Sequence, residues 1–82
     1  MKVTVQLNGI LATQSDWREK EFSVTPGATL VELQAAIEDD LGQQLFSDTQ
    51  ANIGINDTLV VDGEVSLHDG DRIAFFPPLA GG

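Results

Sequence analysis

The sequence contains no cysteine among its 82 residues. Without cysteine the chain can form neither a disulfide bond nor a thiolate metal site, and it cannot carry sulfur as a cysteine persulfide. The absence of disulfides is typical of proteins in a reducing compartment. We therefore expect this protein in the cytosol.

Basic residues are also scarce, and this limits the classes of partner. Thirteen Asp and Glu residues stand against four Lys and Arg residues, which gives a formal net charge of −9 and a pI near 4.1. This sign of charge opposes binding to phosphate backbones and to anionic lipid surfaces. No stretch approaches the roughly 18 apolar residues of a membrane span, and the first residues alternate instead of forming the apolar core of a signal peptide. We expect neither a nucleic-acid partner nor a membrane partner.

The length predicts one small domain with no internal catalytic cleft. A domain of this size buries only roughly 60 to 65% of the surface that its unfolded chain exposes. His68 is the only histidine, and no cysteine or serine constellation accompanies it, so acid–base or nucleophilic catalysis is not predicted. The Asp-rich stretches 57–62 and 69–71 lack the ligand spacing of a calcium loop and are better explained as turns. We expect no bound metal and no bound cofactor.

Several segments alternate apolar with polar residues, which is the pattern of half-buried strands. A helix is predicted over Leu30–Leu41, where apolar residues recur at helical spacing behind a capping box of Thr29 and Glu32. The segment 9–17 has no clear period and is predicted to be a loop. Trp17 in this segment either closes one end of the core, which is the favoured interpretation, or anchors an interface. Strands are predicted over residues 2–8, 19–24, 53–55, 58–61 and 72–76.

The end of the helix and the connection after it carry weaker signals. The acidic run Glu38–Asp40 opposes the helix dipole, and we interpret it as a solvated face. The polar segment 43–50 is predicted to be a connection that Leu45 and Phe46 anchor to the core. No chemistry is visible in either segment.

The order of the elements is strand, strand, helix and then further strands. This order predicts an α+β domain in which one main helix lies across one face of a mixed sheet. We expect the domain to span residues 1–76 and an extended tail to span residues 77–82.

The parity of the last strand determines where a partner docks. If Ile73 and Phe75 face the helix, Phe76 faces outward and forms a partner interface with Leu59. The opposite parity, with Phe76 in the core, is the alternative that the sequence leaves open.

The C-terminal tail has small side chains and follows a stiff proline pair. Proline cannot donate to a β-ladder, so the pair ends the last strand and projects the chain away from the domain. Six residues at roughly 3.3 to 3.6 Å each reach about 20 Å, and glycine suits a narrow channel because it has no Cβ. A disordered tail without function is the alternative, since glycine is common there too. The tail residues are Pro77, Pro78, Leu79, Ala80, Gly81 and Gly82.

The segment LHDGDRIAFFPPLAGG, Leu67 to Gly82, resembles the C-terminal signature of the ubiquitin-like sulfur carriers, above all the small subunit of molybdopterin synthase. The resemblance covers these sixteen consecutive residues strongly and extends weakly over the rest of the chain. It implies a ubiquitin-like β-grasp fold.

The resemblance also implies a chemical role for the tail. In this role the carboxylate of Gly82 is adenylated by an E1-like adenylating enzyme that uses ATP, and a sulfurtransferase then supplies sulfur to give a thiocarboxylate. The thiocarboxylated tail enters the large subunit of molybdopterin synthase and donates sulfur toward the dithiolene of the pterin. The chain itself is then a non-catalytic, sulfur-donating subunit.

Two other uses of the same tail remain open. One is a sulfur carrier for another pathway, such as thiamine, cysteine or tRNA thiolation. The other is a ubiquitin-like modifier conjugated to lysines through Gly82. All three uses require the same exposed Gly-Gly sequence.

Overall fold

The computed structural model describes residues 1–46 and 52–77, and these form an α+β domain of the predicted class. The described strands form one sheet in the order β2-β1-β5-β3-β4, in which β1 and β5 pair in parallel and the other neighbours are antiparallel. The elements are β1 (Lys2–Leu7), α1 (Ile10–Thr13), β2 (Glu19–Ser23), α2 (Leu30–Leu41), β3 (Asn52–Ile55), β4 (Thr58–Val60) and β5 (Arg72–Phe76).

The core lies between α2 and one face of the sheet. Alternate residues of β1 and β5 point toward the helix, and α2 contributes an apolar stripe at helical spacing. The side chains of Ile73 and Phe75 are fully buried, as the predicted parity of the last strand requires. The other buried residues from these three elements are Val3, Val5, Leu7, Leu30, Leu33 and Ile37.

Local signals set both ends of α2. The Thr29 hydroxyl accepts a hydrogen bond from the Glu32 amide at 3.3 Å, and the Glu32 carboxylate accepts one from the Thr29 amide at 3.0 Å. At the other end Gly42 adopts the left-handed conformation, with φ of 68°, and its amide donates to the carbonyl of Glu38 at 2.9 Å. The predicted helix is confirmed at both ends.

The prediction of a loop over residues 9–17 is wrong in part. Residues Ile10–Thr13 form α1, a single helical turn whose residue Leu11 is buried in the core. A helix of one turn is too short to show an apolar period, so the sequence does not reveal it. Trp17 packs against the edge of the core as predicted, with its ring centroid 5.6 Å from that of Phe22.

The segments that follow α2 agree with the predictions where they are described. Leu45 is buried, and the ring of Phe46 lies with its centroid 4.8 Å from that of Phe75, so both residues anchor the connection to the core. Residues 47–50 of that connection lie outside the described residues. The two predicted short strands are β3 and β4, joined by a tight turn in which Asn56 and Asp57 both have positive φ.

The acidic run at the end of α2 is not simply a solvated face. The Lys20 ammonium donates to both carboxylate oxygens of Asp40, at 2.9 and 2.8 Å, and the Trp17 indole donates to Asp40 at 3.3 Å. The Glu38 carboxylate accepts from the Phe46 amide at 2.8 Å. These contacts tie the end of the helix to β2 and to the connection after α2.

No helix in the described part of the chain has the length and apolar character needed to cross a bilayer.

Asp40→Asn tests the contribution of the Lys20 pair to stability. Hydrogen bonding from Lys20, together with its charge and a hydrogen bond from Trp17, holds the pKa of Asp40 below its ordinary value of 3.8. A lowered pKa in the folded state adds stability at neutral pH, and this stability is lost as the pH falls through the lowered value. We expect Asp40→Asn to lower the midpoint of thermal unfolding at pH 7, and the gap from wild type to close below pH 3.8.

The neighbouring Asp39 provides the matched control, since its side chain has no partner within residues 1–46 and 52–77. Asp39→Asn is expected to unfold at or slightly above the wild-type midpoint, because it removes a charge that opposes the helix dipole. A gap for Asp40→Asn that stays constant down to pH 2 would show that the ion pair does not contribute this stability.

Candidate functional site

The face of the sheet opposite α2 is uncovered by any described element. Arg72, Ala74 and Phe76 alternate with the buried residues of β5 and therefore lie on this uncovered face. Phe76 is 45% exposed, whereas Phe75 is 0% exposed. The alternative in which Phe76 belongs to the core is therefore wrong.

A row of four paired residues crosses this face and gives it a hollow. Leu59 of β4 pairs with Gly54, Gly54 pairs with Ala74, and Ala74 pairs with Gln6 of β1. The two middle residues have little or no side chain, while the outer two are large, so the middle of the face is depressed. The resulting cavity has a volume of about 460 Å³. We call the surface around it the open face, and its side chains are those of Thr4, Gln6, Leu59, Arg72, Ala74 and Phe76.

The apolar rim of the hollow contains both residues predicted to form a partner interface. Leu59 is 70% exposed, and it lines the same cavity as Phe76. Two large exposed apolar side chains beside a hollow are the features of a protein interface, where aromatic residues serve as anchors.

Ion pairs occupy the β2 side of the same face. The Arg72 guanidinium lies 3.1 Å from a carboxylate oxygen of Glu19, and the Lys2 ammonium lies 3.5 Å from Glu21. All four side chains are more than half exposed, so each pair contributes at most about 1 kcal/mol to stability. Their effect is to offset the positive charges of Arg72, which lies on the open face, and of Lys2.

The Asp residues before β5 serve turn structure. The buried Asp71 accepts hydrogen bonds from the Asn56 amide group at 2.9 Å and from the His68 backbone amide at 2.8 Å. Asp69 accepts from the Lys2 backbone amide at 2.8 Å. The side chain of His68 is 82% exposed and lies 3.9 Å from Asp71. These carboxylates position the start of β5, which agrees with the predicted turns.

The root of the C-terminal tail is held by the residues that follow β1. The carbonyl of Phe75 accepts hydrogen bonds from the backbone amide of Asn8 at 3.1 Å and from its side-chain amide at 3.2 Å. Pro77 is half-buried and lies against Gly9. The remaining predicted tail residues lie outside the described residues, namely Pro78, Leu79, Ala80, Gly81 and Gly82.

Sequence reasoning identified the rim of the hollow but missed its floor and the support of the tail. Gly54 and Ala74 meet only through the pairing of β3 with β5. Asn8 and Gly9 meet the tail only through the parallel pairing of β1 with β5. A reliable strand order is the signal that would have revealed both.

Comparisons with known proteins agree with the sequence resemblance. The family model described as the ThiS family matches residues 5–82. None of the curated protein sequences matches this chain significantly.

Solved structures share the whole fold. The crystal structure of SAMP1 from Haloferax volcanii superimposes with a TM-score of 0.84 at 24% identity, covering 100% of both chains, and shows that the fold is a ubiquitin-like β-grasp. A complex of subunits 1 and 2 of the molybdopterin-converting factor from Helicobacter pylori matches at 27% identity, with a TM-score of 0.72 and full coverage of both chains.

Another matching structure is also a complex of two proteins. The BexX/CysO complex from Amycolatopsis orientalis matches at 27% identity and a TM-score of 0.71, covering 98% of this chain and 99% of that one. The family match spans nearly the entire sequence, including the Gly-Gly residues at positions 81 and 82. The chain therefore belongs to the ThiS family, within the ubiquitin-like sulfur carriers.

Proposed function

We propose that this protein carries sulfur as a thiocarboxylate on Gly82 and acts as the small subunit of a molybdopterin synthase. The observation that carries the proposal is the position of the tail root beside the open face. Pro77 directly follows Phe76, which lies on the rim of the hollow. A partner that binds the open face therefore also receives the tail.

Activation of Gly82 requires a partner enzyme and ATP. A carboxylate is a poor electrophile, so an E1-like adenylating enzyme first lets the Gly82 carboxylate oxygen attack the α-phosphorus of ATP. An acyl-adenylate forms and pyrophosphate leaves. This chain supplies the carboxylate and the docking surface, and the partner supplies the catalytic groups.

Sulfur transfer then follows from the acyl-adenylate. The terminal sulfur of a persulfide on a sulfurtransferase attacks the acyl carbon, and AMP leaves. A thiol cleaves the resulting acyl disulfide, which gives the thiocarboxylate and a new disulfide. The thiocarboxylate sulfur then bonds to a carbon of the pterin precursor and displaces an oxygen substituent of that carbon. Water hydrolyses the acyl–sulfur bond, which leaves the sulfur on the pterin and regenerates the Gly82 carboxylate.

The length and composition of the tail suit this delivery. Five residues follow Pro77 and span at most about 16 to 18 Å when fully extended. The terminal glycines have no Cβ, so catalytic groups can approach the backbone closely. When a partner is docked on the open face, the length of the tail therefore limits how far from the domain the Gly82 carboxylate can reach.

The molybdopterin branch is favoured over the other sulfur-transfer pathways by one sequence feature. The sequence Phe75-Phe76-Pro77-Pro78 resembles the synthase small subunit more than the thiamine carrier. The structural matches at 27% identity include both a molybdopterin-converting factor complex and the BexX/CysO complex, so they support a carrier with a partner protein without separating the pathways. In this branch the partner that binds the open face for sulfur donation is the large synthase subunit.

Removing Gly82, or adding one residue after it, is expected to abolish activation and leave the fold intact. The chemistry needs a free carboxylate at a fixed reach, and the change lies beyond the folded core. ATP–pyrophosphate exchange with the cognate adenylating enzyme measures activation, and thermal melting measures stability. Wild-type exchange rates from the shortened protein would refute the carrier function.

Phe76→Ala is expected to weaken the complex with the large subunit by about 1 kcal/mol or more, which is roughly a fivefold rise in Kd. Calorimetric titration measures the binding, and thermal melting measures the fold. Val31→Ala is the matched control, because Val31 has similar exposure, 48% against 45%, but lies on α2 on the opposite side of the sheet. If Val31→Ala weakens the complex and Phe76→Ala does not, the partner binds the helix side.

Gly54→Ala tests the hollow with effects of opposite sign on folding and binding. A Cβ at Gly54 meets only the Thr58 carbonyl oxygen, at an ordinary contact distance of 3.8 Å, so the methyl group fits the fold and projects into the hollow. Replacing a strand glycine is expected to stabilise the fold by about 0.5 to 1 kcal/mol. Binding to the large subunit is expected to weaken. A variant that melts higher and binds as tightly as wild type would exclude the hollow from the interface.

The product of sulfur transfer distinguishes the pathways. We expect the thiocarboxylated protein, mixed with a large synthase subunit, to convert the sulfur-free pterin precursor to the dithiolene product. Thiazole formation and tRNA thiolation are measured in parallel with their own enzymes. If no dithiolene forms and the thiocarboxylated protein instead yields thiazole or thiolated tRNA, the carrier belongs to the pathway that makes that product.

Intact mass of the protein isolated from its native cell separates a carrier from a modifier. Replacement of one terminal oxygen by sulfur supports the carrier function. Branched peptides that join Gly82 to lysines of other proteins would instead assign a modifier function.

A further inference from the structure

Residue 9 is restricted to glycine by two separate features of the structure. Its backbone has φ of 59° and ψ of −137°, a conformation that side chains with a Cβ rarely adopt. A Cβ at Gly9 would also lie 2.9 Å from Cγ and 3.2 Å from Cδ of Pro77. The flat backbone of Gly9 therefore forms the surface against which the ring of Pro77 rests.

The residue before Gly9 fixes the strand that leads into the tail. Asn8 donates both its backbone and its side-chain amide to the carbonyl of Phe75. This carbonyl lies two residues before Pro77, so the chain is held on both sides of Phe76. Pro77, which lies against Gly9, is the last residue of the chain that the structure describes.

We propose that Gly9 is a positioning residue that sets the direction in which the C-terminal tail leaves the domain. The proposal rests on the proposed function, because direction matters only if the carboxylate must reach a partner's active site. Gly9 acts through Pro77 and does not touch the reacting atoms. Its role differs from that of the open face, which binds the partner but does not direct the tail.

The effect of direction follows from the geometry of a tethered group. Once the domain is docked, the tail delivers its carboxylate in an intramolecular step, whose rate depends on the effective concentration of the carboxylate at the active site. A fixed root confines the tail to fewer directions and raises that concentration. A methyl group at position 9 must displace the Pro77 ring, because carbon atoms do not approach to 2.9 Å without a shift. A shift of Pro77 changes the position and direction from which the tail starts.

Gly9→Ala in the full chain, compared with Gly42→Ala, tests the proposal. Gly42 also has positive φ, 68°, but a Cβ there meets no atom within 4 Å, so its substitution introduces backbone strain without affecting the tail. ATP–pyrophosphate exchange with the adenylating enzyme is expected to show about a tenfold lower kcat for Gly9→Ala with unchanged KM, since the open face is intact. Gly42→Ala is expected to keep the wild-type kcat and KM. Equal losses of kcat in the two variants, or a loss confined to KM, would overturn the positioning role.

A double-mutant cycle on stability reports the contact without any partner enzyme. Pro77→Ala removes the ring that a methyl group at position 9 would strike. The double variant Gly9→Ala/Pro77→Ala is therefore expected to lose less stability in urea unfolding than the losses of the two single variants added together. Strict additivity would show that Gly9 and Pro77 do not interact, and it would overturn the proposal. If Gly9→Ala does not fold, Pro77→Gly frees the root directly and is expected to give the same loss of kcat.

Different results would overturn the proposed function and the positioning role of Gly9. Wild-type protein that supports no exchange would overturn the proposed function and the positioning role together, whereas coupling in the stability cycle would still confirm the contact. Normal exchange by wild type and by Gly9→Ala would overturn the positioning role alone.

Discussion

The parallel pairing of β1 with β5 is the contact on which the rest of the structure depends. It joins the two ends of the chain at the centre of the sheet, where Val5 pairs with Ile73 and both side chains are fully buried. Because the pairing is parallel, the carboxyl ends of the two strands meet at one edge of the sheet. The same pairing thus builds the middle of the core and places Asn8 and Gly9 beside the root of the tail.

The features that the sequence predicted are those encoded by neighbouring residues. The capping box of Thr29 and Glu32 lies within one helical turn, so α2 was predictable. The alternation of β5 favoured an outward Phe76 but left the opposite parity open, because Phe75 and Phe76 are equally apolar neighbours. The contact of Gly9 with Pro77 joins opposite ends of the chain and has no local signature. The one-turn helix α1 escaped prediction because it has only one buried residue, Leu11.

The few cations of this acidic chain lie mostly in ion pairs. Three of the four Lys and Arg residues lie within 4 Å of a carboxylate, in the pairs Lys2–Glu21, Lys20–Asp40 and Arg72–Glu19. These cations are used in contacts between elements of the domain itself, and the formal net charge of the chain is −9. An acidic surface of this kind accelerates encounter with a basic partner, and the acceleration falls as the salt concentration rises.

The position of β5 also determines how the domain responds when its tail is pulled. Under the proposed function, withdrawal of the tail from a partner pulls on β5 from its C-terminal end, and this strand is hydrogen-bonded to β1 on one side and to β3 on the other. Tension in this direction loads the two rows of hydrogen bonds in shear, so that many bonds must break together instead of one after another. A strand at the edge of the sheet, with one row of bonds, would yield more easily. Under the proposed function, in which a partner takes up and releases the tail, the central position of the last strand makes the domain resist unfolding when the tail is pulled.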